Sequence, residues 1–203
     1  MLLASLMFAA MGACVKLASD LQASLAQIVL FRGAPSVLLL LLWALATRRS
    51  LRPKSWRLHI ARNVTGVCSM WLGFFAISVL PLATAVSLNY TSPLFIAGWM
   101  LLRDWKQRDI VRTIAVLAGF AGVLAILRPS IGEDQLVGVI VGLIAGACAA
   151  LAMMQVRSLG RIGEPEWRTV LFFSCFVCFT GGVGLAYQGW PMLDLAGWLT
   201  LVG

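Results

Sequence analysis

The sequence predicts an all-α polytopic membrane protein, and three observations carry that reading. Seven uninterrupted apolar runs, each about 18 to 22 residues long, match the length a helix needs to cross a roughly 30 Å hydrocarbon core. An eighth run begins near Leu193 and reaches Gly203, which makes about seven and a half spans. Composition agrees: 61% of residues are hydrophobic, 12% are charged and mean hydropathy is +0.92. A soluble domain holds about 45–50% apolar and about 25% charged residues. The excess exceeds what a globule of this size can bury, so lipid must solvate much of the surface. A helix satisfies its own backbone in lipid, and the ten-residue alternation of a transmembrane barrel is absent from the sequence. The third observation is the one-sided placement of charge.

In chain order, the expected spans are Leu2–Ser19, Leu25–Ala46, Asn63–Leu80, Leu82–Leu102, Ile110–Leu127, Leu136–Val156 and Thr169–Tyr187, then the run from Leu193. Pro81 marks a tight turn between the third and fourth. Basic residues crowd alternate loops: Arg48, Arg49, Arg52, Lys54, Arg57 and Arg62 after span two, Arg103, Lys106, Arg108 and Arg112 after span four, and Arg157, Arg161 and Arg168 after span six. The opposite loops hold only Arg128. The positive-inside rule then puts these loops and the N-terminus in the cytoplasm of a bacterial inner membrane. Trp56, Trp105 and Trp167 beside the basic loops, with Trp190 on the other side, fit an interfacial aromatic belt. The net charge of +8 is therefore topological, and nucleic acid is not an expected partner.

Two cations remain inside spans, Lys16 and Arg32, while all eight acids fall in loops or at span ends. Charge at membrane depth is costly and marks a functional cavity or a pair. Lys16 lies about one turn from the outer end, where snorkelling or pairing with Asp20 is an equal explanation. Arg32 is deeper, and either contacts a ligand or holds backbone carbonyls. Pro35 and Pro93 each remove a backbone bond and favour a kink. Interrupted helices recur at transporter sites, although proline is also common in membrane helices. Span four carries Thr84, Ser87, Asn89, Tyr90, Thr91 and Ser92, with Thr84, Ser87 and Thr91 on one face of a continuous helix. That stripe either lines a polar path or bonds a neighbouring helix. Trp71 and Tyr90 would make an aromatic wall for a substrate, or would simply pack. Gly138, Gly142 and Gly146, four apart, specify close helix packing, either internal or in a homodimer.

Other patterns point away from chemistry. Cys14, Cys68, Cys148, Cys175 and Cys178 all lie in apolar runs, so neither a disulfide framework nor a metal site at Cys175 and Cys178 is expected. The sequons at Asn63 and Asn89 fall at a cytoplasmic boundary and inside a span. His59 reads as a surface residue of a basic loop. No phosphate loop, carboxylate pair or nucleophile–base set appears in the sequence, so neither an enzyme nor a cofactor is expected.

Four segments resemble the EamA-type carriers of the drug/metabolite transporter superfamily. They are MGACVKLAS around Lys16, IVLFRGAPSVLLLL around Arg32, LPLATAVSLNYTSPLF entering span four, and AGFAGVLAILRP closing span five. Many members have a Gly-Glu pair after span four; here Leu102-Arg103-Asp104-Trp105 stands there. The resemblance implies a ten-helix carrier of two five-helix repeats, here residues 1–130 and an incomplete second repeat, 131–203. Five is odd, so the second repeat runs inverted, with substrate near the midplane between the repeats. The candidate substrate contacts, read from the charges, polar stripe and aromatics above, are Lys16, Arg32, Trp71, Ser87, Asn89, Tyr90 and Thr91. The expected function is alternating-access transport, outward, of a small metabolite bearing an anionic group. The alternative from another class is a truncated or non-transporting membrane protein, a helix-packing subunit or an inactive fragment.

Overall fold

The computed structural model describes residues 24–103, 110–127 and 136–188, and every regular element in them is a helix. Helix α1 is Leu25–Ala46, α2 Trp56–Val79, α3 Leu82–Asn89, α4 Ser92–Arg103, α5 Ile110–Leu127, α6 Leu136–Arg161 and α7 Glu166–Gln188. Among the described residues, five segments are long and apolar enough to cross a membrane: α1, α2, α3 with α4, α6, and α7. This is a multi-pass membrane architecture. Lys16, span one and the run from Leu193 lie outside the described residues.

The helices fall into two compact units, one of Met1–Val67 with Gln155–Gly203 and the other of Cys68–Met154. In the first, α1 opens with a capping box: Ser24 Oγ accepts from Gln27 N at 3.2 Å, and Ser24 N donates to Gln27 Oε1 at 3.2 Å. It closes with a Schellman motif, in which Arg49 N bonds Ala44 O and Arg48 N bonds Leu45 O. Arg48 takes the left-handed turn position, φ 49°, usually held by glycine. Helix α6 ends the same way, with Glu164 N on Leu159 O and Gly163 at φ 70°. Helix α7 crosses α1 at backbone distance. A Cβ on Gly181 would stand 2.8 Å from Leu30 N and 3.1 Å from Ala26 O, and one on Gly33 would stand 2.7 Å from Cys178 Sγ. Such small-residue contacts hold helices where lipid removes the hydrophobic drive.

In the second unit, the Leu80–Pro81 turn folds α3 back so that Ala76, Leu80, Ala85, Leu88 and Val139 form one core. The glycines of α6 lie on it. A Cβ on Gly138 would meet Leu80 Cγ at 3.0 Å, one on Gly142 would meet Leu88 Cδ1 at 2.7 Å, and one on Gly146 would meet Thr91 Oγ1 at 2.5 Å. Ser69 Oγ adds a hydrogen bond to Ala145 O at 2.9 Å. Phe95 of α4 meets Phe120 of α5 edge-on, with centroids 5.3 Å apart.

Helix α2 differs from expectation at its start. It begins at Trp56, so Arg57, His59 and Arg62 are helical rather than loop residues. Hydropathy marks where a helix meets lipid, and a helix is free to extend beyond that point.

Candidate functional site

Span four is not one helix. Its ladder breaks after Asn89, and Tyr90 and Thr91 separate α3 from α4. Pro93 explains the break: it has no N–H to give the carbonyl four residues back, and it disfavours helical geometry at Ser92. Thr91 closes the first half, its N–H and its hydroxyl both on Leu88 O at 3.0 and 2.6 Å. Its carbonyl starts the second half, accepting from Leu94 N and Phe95 N at 2.9 and 3.1 Å. Thr91 is fully buried against Gly146, while Asn89 and Tyr90 stand exposed, Tyr90 by 63%. Ser87 turns its hydroxyl to Ala83 O at 2.8 Å. Thr84, Ser87 and Thr91 therefore do not form one continuous stripe, because the break puts Thr91 outside α3. Trp71 is half-buried on α2 of the same unit.

In the other unit, Arg32 lies on α1 beside Gly33, at the level where α1 meets α7, and Pro35 follows within an unbroken helix. Lys16 lies outside the described residues.

The structure also assembles a polar cluster that sequence reasoning missed. The Glu164 side chain is fully buried. Its Oε2 accepts from Lys54 N at 3.0 Å, and its Oε1 from Arg168 Nη1 at 2.9 Å. His59 Nε2 approaches Oε1 to 3.3 Å, off the hydrogen-bond line. Arg168 Nη2 donates to Ser50 O at 2.7 Å, and Lys54 Nζ to Ile162 O at 3.0 Å. Burial alone would raise the Glu164 carboxyl. The Lys54 N–H, the Arg168 guanidinium and the His59 ring outweigh it and hold the group below the usual carboxylate range. His59 is thus 1% exposed rather than a surface residue, stacked edge-on to Phe172 at 5.0 Å. One turn on, Asn63 Nδ2 donates to Phe172 O at 3.4 Å, and Arg62 lies 4.2 Å over Phe173. Farther along, Thr65 Oγ1 donates to Gln155 Oε1 at 2.7 Å. The available signal was the spacing of His59, Arg62 and Asn63, which puts three polar groups on one helix face. Among the described residues, no three His, Cys, Asp or Glu side chains gather as a metal site.

A multi-pass helical chain with a polar break in mid-span has the build of a membrane transporter. Residues 1–128 match the model of the EamA-like transporter family, and the chain belongs to that family. It is 28% identical over 188 residues to an uncharacterized transporter of Helicobacter pylori, covering 91% of this chain and 62% of that one. It is 32% identical over 159 residues to the pseudopaline exporter CntI of Pseudomonas aeruginosa, covering 77% and 55%. To a riboflavin transporter of Vibrio cholerae it is 29% identical over 210 residues, covering 100% and 69%. The chain thus spans about three-fifths of the length of these curated relatives. No solved structure matches it. The family and these relatives are transporters rather than enzymes.

Proposed function

We propose that the chain is the larger part of an inner-membrane carrier that moves a small metabolite bearing an anionic group, outward, by alternating access. The carrier is two inverted five-helix repeats, residues 1–130 and the repeat begun by 131–203, with the N-terminus cytoplasmic. The observation that carries the site is the broken span. Interrupted helices give transporters free carbonyls and helix ends at membrane depth, and here the break leaves Asn89 and Tyr90 exposed beside a buried Thr91. Ser87, Asn89, Tyr90 and Trp71 are the candidate neutral and aromatic contacts, with Thr91 packed behind the break, and Arg32 and Lys16 are the candidate positive ones. Pro35 and Pro93 shape the two helices, and the α6 glycines back the break. One relative is named an exporter, which supports outward movement, and the solutes in the relatives' names support a small organic substrate.

The test is a melting screen of the purified full-length carrier against carboxylates, phosphates and neutral analogues, since a ligand of the folded state raises apparent stability. At least one anionic compound is expected to raise the melting temperature, and Arg32→Gln is expected to abolish that rise. A rise kept in full by Arg32→Gln would sink the ligand role of Arg32.

A further inference from the structure

We propose that the Glu164 cluster is a gate, a clasp that ties the two repeats together at the end of the carrier expected to face the cytoplasm. The inference rests on the carrier reading and its division near residue 130, and it names how that same passage is closed. Ser50, Lys54 and His59 belong to the first repeat, whereas Ile162, Glu164 and Arg168 belong to the second. The bonds join the C-terminal ends of α1 and α6 to the N-terminal ends of α2 and α7, through two loops brought onto one carboxylate. Alternating access needs contacts between repeats that are made and broken at one membrane face. End-on polar bonds at helix termini are of that kind, because water replaces them when the ends part.

Two further observations separate a gate from a static staple. The closed clasp is under-bonded: His59 Nδ1 and Arg168 Nε are buried without a hydrogen-bond partner. Buried groups left unbonded oppose closure, and hydration on opening relieves them. The same α1–α7 pair also has a contact of the opposite type. Where Gly181 meets Leu30 and Gly33 meets Cys178, the helices touch near backbone level and little side chain is available to rearrange. That crossing serves as the pivot. Roughly 20 Å of helix separates Gly33 from Ala46, so a small rotation there opens the clasped end widely.

Spin labels at Ser50→Cys and Ile162→Cys test the proposal, in the full-length chain in lipid nanodiscs with the native cysteines replaced. Glu164→Gln is expected to raise the share of the long-distance population roughly tenfold, the size expected for losing one hydrogen bond to a charged group. Glu164→Asp should restore much of the short distance, and Glu166→Gln, exposed two residues on, should match the parent. Lys54→Met keeps the backbone bond to Glu164 and loses only the Nζ tie to Ile162, so it reports even where Glu164→Gln does not fold. It should shift the population the same way by a smaller factor. An unchanged short distance in Lys54→Met and in folded Glu164→Gln overturns the gate. The distances need no solute, so a clasp that opens in a chain that carries nothing supports the moving joint and counts against the carrier reading alone.

Discussion

The α6 glycine face and the Glu164 cluster hold helices together by opposite means. On the glycine face, Gly138, Gly142 and Gly146 contribute no side chain, and Leu80, Leu88 and Thr91 fill the space against the helix. Around Glu164, long side chains reach across loops and the bonds to its carboxylate are polar. The difference teaches where each device works. Among apolar helices in lipid, close packing replaces the hydrophobic drive. At helix ends, unpaired carbonyls and N–H groups need partners, and buried charge supplies them at a desolvation cost.

The largest expected effect breaks the polar side of that comparison. Arg168→Met leaves Glu164 buried without its guanidinium, and removing one partner of a buried pair costs about 3 to 5 kcal/mol. A large fall in the detergent melting temperature checks it, with Arg157→Met on the exposed face of α6 as the control. On the apolar side, Gly146→Ala is expected to cost about 1 to 3 kcal/mol by overpacking. Its Cβ meets Thr91 Oγ1 at 2.5 Å and the Leu88 carbonyl at 3.2 Å, and that hydroxyl is already committed. Gly142→Ala should cost less, because it meets the movable end of Leu88, and Gly73→Ala, with nothing within 4 Å, should be neutral. Comparing the three melting temperatures tests the graded order.

Acid sharpens the contrast. The folded Glu164 carboxyl titrates below its unfolded value, so it contributes stability that is fully present above about pH 4.3, the ordinary glutamate value. That contribution is lost as pH falls through the lower folded value. The parent melting temperature should therefore drop more steeply with acid than that of Glu164→Gln, whereas Gly146→Ala should track the parent slope. The smallest effect is a gain: Arg48→Gly relieves a left-handed residue and should stabilise by up to about 1 kcal/mol, read as a small rise in melting temperature.

These regions were unequally legible in the sequence. Leu25–Ala46 and Ile110–Leu127 coincide with their apolar runs, because those runs are bounded by caps or polar residues. The four-residue spacing of the α6 glycines was visible too, since it depends only on helical period. The break in span four was half-visible. Pro93 signalled a kink and Asn89 to Ser92 form a polar stretch, but a kinked continuous helix accommodates both, so the interruption of the ladder does not follow from them. The Glu164 cluster was illegible because its members are scattered: Lys54 and Glu164 are 110 residues apart, and only tertiary packing buries them. His59 beside basic neighbours looked solvated for the same reason.

The proposed solute site is the break in span four, with packing elsewhere holding the fold. The most direct measurement is ligand-dependent melting of Tyr90→Ala beside the parent, using an anionic compound that stabilises the parent. Tyr90 is 63% exposed, so the unliganded melting temperature should stay near the parent's and the ligand-induced rise should vanish. A full ligand-induced rise in Tyr90→Ala would contradict it.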